Sequence, residues 1–257
     1  MVELFHAILI YLVPQGKFEP IYLTMLKTMV NIASQNNRFR GIFLSQVQTD
    51  QGKKVTLLKL LSDKLFAESL QGSTMRLKTM FTLFRTLGAS AEVCKEMMKY
   101  KVIETLLENL VPVCKNEKDI KLMKHYLTHF CGYLAGFART EEGISTVNKM
   151  KQVFDFSFFL LDTVQPATLG NDSILGDLVC YNLLFLRNCT AVKTSKIQII
   201  SNAKFMPCLF AFLSAKQYPV KIKAYTAAFL WELLHRNHNV KAAMNKEAVR
   251  NEIKLMR

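Results

Sequence analysis

The sequence predicts an all-α protein, a right-handed helical solenoid of about five degenerate repeats, and three observations predict it. Apolar residues recur at helical spacing over nearly the whole chain, most clearly at Ile120, Met123, Leu127, Phe130, Leu134 and Phe137. Half of the 257 residues are hydrophobic while only 10 are Gly and 6 are Pro, too few for the turns that many short strands need. Related strings also return at long intervals: TMVNIA at 28–33, LFRTLG at 83–88, YLAGFA at 133–138, FLRNCT at 185–190 and FLWELL at 229–234. A period of this kind in a helical chain means stacked units, each of which buries its apolar face only against its neighbours.

Turn-forming residues divide the chain at Pro14 to Gly16, Asp50 to Gly52, Gly72, Asn116, Gly143, Pro166 to Asp172 and Tyr218 to Pro219. A partial unit over 1–35 carries the run Leu23, Leu26, Val30, and a second over 36–87 carries Leu77, Met80, Phe84, Leu87. In the third, 88–138, two short helices (91–100 and 102–111) lead into a long one. The fourth, 139–190, repeats that order with 141–150, 153–163 and the run Leu178, Asn182, Phe185, Cys189. The fifth, 191–235, has 192–201, 205–213 and the run Ile222, Thr226, Phe229, Leu233, and 236–257 is left as a C-terminal cap on a single domain spanning 1–257. Asn31, Thr86, Gly136, Asn188 and Glu232 hold one position in successive units, 55, 50, 52 and 44 residues apart.

Units of short, medium and long helix resemble the armadillo repeat. The match is best over 202–214 (NAKFMPCLFAFLS) and 220–234 (VKIKAYTAAFLWELL), where Pro207 stands near the start of a second helix, a place where a missing N–H costs nothing. A HEAT array or a helical bundle is the alternative, because two-helix and three-helix units share these signals.

The residues offer little for catalysis. Gly residues nowhere reach the spacing of a phosphate loop, and no Ser sits in a G-x-S-x-G turn. His125 and His129 have the i, i+4 spacing of a metal pair, but the string HYLTH lacks the Glu of a zinc protease and a third ligand, so they read as a polar helix face. His235 and His238 fall at a helix end, and Glu141, Glu142, Asp155 and Asp162 fall at first turns or polar faces. The six Cys are scattered, without a C-x-x-C, and read as reduced, buried thiols. Gly132 and Gly136 read as a place where a neighbouring helix comes close. No enzyme activity, cofactor, metal or small-molecule substrate is expected.

The first thirteen residues are apolar, but Glu3, His6 and the absence of a small-residue cleavage site argue against a signal peptide, and 153–161 is far too short to span a bilayer. A formal charge of +14 draws acidic partners. Its Lys and Arg are dispersed, and the aromatic residues Phe81, Phe130, Phe158 and Phe229 fall on apolar faces, so nucleic acid is not the expected partner. In armadillo proteins that clamp extended peptides, such as importins and catenins, the third helices carry an Asn ladder with Trp one turn earlier. Here the matching positions read Asn31, Thr86, Gly136, Asn188, Glu232 and, one turn earlier, Lys27, Thr82, Gly132, Leu184, Ala228. Two Asn and no Trp on a basic chain disfavour capture of basic import cargo. The expected contact surface is instead a positive groove for acidic or amphipathic segments, built from Lys118, Lys121, His125, Asn188, Lys223, Glu232 and Arg236, with a solvated outer face as the other reading of these charges.

The stretch 227–250 (AAFLWELLHRNHNVKAAMNKEAVR) resembles the end of the armadillo array in the rotatin family, called anastral spindle 3 in flies, through its A-x-L-W-x-L core, the K-A helix that follows and the terminal V-R. That resemblance covers about a tenth of the chain. It implies a cytoplasmic scaffold of centrioles, centrosomes and ciliary basal bodies, acting in centriole assembly and cilium formation, with centriolar proteins as partners, and a chain that is a piece or short isoform of a longer protein. A generic cytoplasmic adaptor for acidic peptides or membrane-associated partners is the other reading of the same residues.

Overall fold

The computed structural model describes residues 19–35, 37–49, 51–68, 74–202 and 205–235, and these are mostly helical. The breaks read at Pro14–Gly16 and Gly72, Asp50, the cap 236–257, and with it Arg236 and His238, lie outside the described residues. The described residues fall into two compact units: one runs up to Val113 and includes Arg139–Gly143, and the other holds Cys114–Ala138 and the residues from Ile144 onward.

In the first unit α1 (Glu19–Gln35) packs along α4 (Thr74–Leu87), with the Tyr22 hydroxyl directed at the Met80 sulfur 3.6 Å away. Between them come α2 (Asn37–Gly41), a single 3-10 turn (Ile42–Leu44), a two-stranded hairpin and α3 (Leu57–Glu68). The hairpin departs from the helical expectation for 36–87. Strands β1 (Gln46–Gln48) and β2 (Lys54–Thr56) pair antiparallel with Val47 opposite Val55, and Val47 turns inward between two exposed Gln. Gly52, at φ 76°, supplies the left-handed residue of the loop, whose ends close through Thr49 N–H to Lys53 O at 2.8 Å. The sequence reads Asp50 to Gly52 as a break, but three-residue strands are too short for their alternation to register.

The remaining helices of this unit are α5 (Ala91–Lys99) and α6 (Val102–Leu110), within a residue of the expected bounds. They are joined by Lys101, which takes φ 51° without being Gly or Asn. Cys94 is buried on α5 and its thiol donates to Gly88 O at 3.0 Å, while Thr140 Oγ1 donates to the sulfur at 3.4 Å.

The second unit is built around the long α7 (Glu117–Phe137). Its start is fixed by Asn116, whose side chain accepts from Asp119 N–H at 3.1 Å, while Asp119 accepts from Lys115 N–H at 2.9 Å. Helices α8 (Glu141–Val147, of which the residues from Ile144 belong to this unit), α9 (Lys151–Thr163), the single turn α10 (Pro166–Leu169) and α11 (Ser173–Cys189) follow. Then the short, medium, long order returns as α12 (Lys193–Ser201), α13 (Phe205–Ser214) and α14 (Val220–Leu234). Asp172 caps α11 by accepting from Ile174 and Leu175 N–H at 3.0 and 3.3 Å. Pro219 stands at the N-cap of α14, where it needs no N–H.

A line of rings ties these helices together. Phe185 of α11 lies 6.0 Å from Phe154 of α9, Phe154 lies 6.4 Å from Phe158, Phe158 packs 4.6 Å from Phe205 of α13, and Phe205 lies 5.7 Å from Phe229 of α14. Every aromatic residue that the sequence places on an apolar face (Phe81, Phe130, Phe158, Phe229) is buried. Asn182, inside the apolar run of α11, is fully buried and donates to Ser157 O of α9 at 2.9 Å. No single helix among the described residues is long and apolar enough to cross a membrane.

Because Phe185 joins α11 to α9 with no solvent contact, Phe185→Ala is expected to cost about 3–5 kcal/mol, the usual range for a Phe truncated in a core. Urea denaturation followed by far-ultraviolet circular dichroism measures it; a loss below about 1 kcal/mol would place the ring line outside the core.

Candidate protein-interaction face

In the second unit α7, α11 and α14 lie side by side and run parallel, which their cross-links establish. Near their N-terminal ends Lys124 of α7 pairs with Asp172 at the head of α11, and Lys221 of α14 reaches Asp177 of α11 at 2.6 Å. Near their C-terminal ends Asn188 of α11 donates to Ala135 O of α7 at 2.9 Å, and Arg187 donates to Glu232 of α14 at 3.3 Å. Thr128 of α7 adds a bond to Ile174 O at 3.2 Å.

The partners of these bonds stand 44 to 53 residues apart in sequence. Other pairs of helices repeat the offset. Asn148, after α8, pairs with Thr194 and Ser195 of α12 at separations of 46 and 47, and Leu161 of α9 receives the Cys208 thiol of α13 at 47.

The seven residues of the expected groove divide between the two ends of this row. Lys118, Lys121 and His125 are exposed on one ridge of α7's N-terminal half, with Leu122 among them at 75 % exposure. Lys121 holds Glu117 at 2.7 Å, and that bond, together with one involving Thr168, keeps the Glu117 carboxyl below its usual range. Lys223 is half-buried on the first turn of α14. Asn188 and Glu232 belong to the opposite end, about 20 Å away along α7 at 1.5 Å per residue. Asn188 is engaged by Ala135 O, so this rung of the expected ladder joins two helices of the protein itself. Glu232 faces Arg187, and its carbonyl and that of His235 receive the Lys196 ammonium at 2.8 and 3.1 Å, a cation at the carbonyl end of α14. Arg236 lies outside the described residues.

Sequence reasoning missed Asp172, Asp177, Arg187 and Lys196, which hold the row together; pairing acids with bases at the repeat offset is the signal that would have found them. Trp231, which the sequence gives only as part of the FLWELL string and the A-x-L-W-x-L motif, is 69 % exposed and stacks on His235, with ring centroids 6.0 Å apart. The neighbours it was grouped with, Leu230 and Leu233, are buried.

No family model and no curated protein matches this chain. A cleft of about 580 Å³ opens between the N-terminal ends of α11 and α14, with Asp172, Asp177, Tyr218 and Lys221 on its wall. A smaller one of about 260 Å³, between α9 and α13, has Asp155 and Asp162 over Phe158, Phe159 and Phe205. All six cysteines are free and buried. Burial pushes the thiols of Cys94, Cys114 and Cys180 up to about 11 and that of Cys208 to about 12, and those of Cys131 and Cys189 higher still, so none offers a thiolate near neutral pH. Among the described residues no three His, Cys, Asp or Glu gather as a metal site would require.

Asp172 lends itself to a pH test. Burial alone would raise its pKa, but the bonds from Lys124, Leu175 N–H and Ile174 N–H outweigh that and hold the carboxyl below its usual range. A depressed folded pKa gives stability that is present above the unfolded value and is lost as pH falls through the folded one. Asp172→Asn keeps an N-cap acceptor and removes the charge. It is expected to cost under about 1 kcal/mol near neutral pH, with the gap to the parent closing below about pH 3. Thermal melts at the two pH values measure this, and a gap independent of pH would show that the Lys124 pair contributes nothing.

Proposed function

We propose that this chain is a non-enzymatic, armadillo-type interaction scaffold that gathers other proteins, acting at centrioles and basal bodies as its resemblance to the rotatin family implies. One observation carries the scaffold reading: helix of one triplet meets the corresponding helix of the next at a nearly constant sequence offset, in first, second and third helices alike. A protein assembled by adding like units gains surface with each one and needs no cavity to be useful. The buried, high-pKa thiols and the absence of phosphate-loop or nucleophile motifs support a role without chemistry. The basic ridge Lys118, Lys121, His125, with exposed Leu122 in its midst, suits an acidic amphipathic segment.

Two experiments test this. A tagged full-length chain is expected to coincide with a centriole marker in dividing and ciliated cells; an even cytoplasmic distribution would favour the generic adaptor and reject the centriolar role. Changing Lys118, Lys121 and Lys223 to Glu is expected to weaken capture of acidic partners at least tenfold while leaving the circular dichroism melt in place. Lys118 and Lys121 stand in the first turns of α7, where negative charge suits the helix dipole and offsets the loss of the Lys121–Glu117 pair, and the unchanged melt separates loss of binding from loss of fold. Undiminished capture would remove the ridge from the contact surface.

A further inference from the structure

Among the described residues nothing covers the flank of α14 that corresponds to the docking flanks of α7 and α11, and we propose that it takes an acidic amphipathic helix from a partner protein. On α7 that flank is Lys124, Thr128, Cys131 and Ala135; α11 covers it through the Lys124–Asp172 pair, the Thr128 bond to Ile174 O and the Asn188 bond to Ala135 O. Fifty-two residues on, the spacing of Gly136 and Asn188, the same flank of α11 is Gly176, Cys180, Leu183 and Arg187. There Arg187 bonds Glu232 of α14, and Cys180 and Leu183 are buried, while Gly176 borders the cleft between the two helix heads.

Forty-four residues further, the spacing of Asn188 and Glu232, the flank of α14 reads Val220, Ala224, Ala227 and Trp231. All four are apolar and all four are exposed, Val220 at 82 % and Trp231 at 69 %. They rise at i, i+4, i+7 and i+11, one stripe along the helix, with two Ala between bulky ends, which is the form of a groove for another helix. The flank is therefore equivalent in register to two others that each hold a helix.

Charge selects the occupant. Where α11 presents the Asp177 carboxylate to α14, the first turn of α14 holds no acid: it carries Lys221, already paired with Asp177, and the half-buried Lys223, so an incoming helix meets basic side chains there. The chain carries a net +14, which repels a second copy and attracts an acidic helix. This inference rests on the repeat reading of the fold, but neither on the Lys118 ridge nor on the centriolar location; Lys223 is common to both surfaces, and its test therefore reads Trp231 and Ala227 instead.

Trp231 is the single tryptophan of the chain and reports on the flank directly. The probe is a synthetic peptide copying 220–234 with Lys221→Glu, Lys223→Glu and Trp231→Leu, so that the protein holds the sole indole. In dilute full-length chain, Trp231 emission is expected to be water-like and open to acrylamide; adding the probe is expected to move it to the blue and cut quenching at least threefold. By fluorescence anisotropy of labelled probe, Ala227→Glu is expected to weaken binding at least tenfold, and the unmodified 220–234 sequence with only Trp231→Leu is expected to bind several-fold more weakly. Indole shielded in the dilute chain alone would mean that residues of this chain cover the stripe. A blue shift that grows with protein concentration, matched by dimers in sedimentation, would assign it to a second copy. Either result, or open indole with no response to the probe, overturns the proposal, and none of them touches the localisation or the lysine variants.

Discussion

The second unit depends on the continuous contact of rings from Phe185 through Phe154, Phe158 and Phe205 to Phe229. Helices α8, α9, α12 and α13 are 7 to 13 residues long, below the length at which an isolated helix holds in water. Their stability has to come from burying a face against the next triplet, and Phe supplies more such area per residue than any aliphatic side chain. The rings cross from α9 and α11 to α13 and α14, so the interface between successive triplets is as much a core as the interior of either one.

Apolar contact has no direction, and by itself it would let one triplet slide against the next. Polar bonds remove that freedom. Asn148 and Asn188 reach across to α12 and α7, while within one triplet the buried Asn182 donates its amide to Ser157 O. A slip of one turn would break the Asn148 and Asn188 bonds, each contributing about 0.5–1.5 kcal/mol. The ion pairs Lys124–Asp172 and Lys221–Asp177 repeat the message nearer the surface, where screening makes them weaker.

Much of the architecture is legible in the sequence, for a physical reason. The spacing of Ile120 to Phe137 follows the helix itself, so α7 and the bounds of α5, α6, α9, α12 and α13 emerge within two residues. Periodicity also puts Asn182 on the buried face of α11. It does not say what a polar residue beside that face touches: Asn188 reads as a surface rung and is in fact bonded to Ala135 O. Nor does it reveal that a large apolar residue can stand outside the core, as Trp231 does, because exposure depends on whether a neighbouring helix is there. The hairpin at Gln46–Thr56 escaped because a three-residue strand shows a single inward side chain. Acid and base partners half a hundred residues apart are invisible until the stacking that joins them is known.

Three helices running the same way have a collective electrical property. Each contributes a partial positive charge at its amide end and a partial negative charge at its carbonyl end, and in α7, α11 and α14 like ends fall on one edge. The protein's own residues respond to this field: Asp119 and Asp172 gather at the amide edge and Lys196 at the carbonyl edge. The lysines at the heads of α7 and α14 add to the positive amide edge, so the two edges of this row differ in sign through backbone and side chains together.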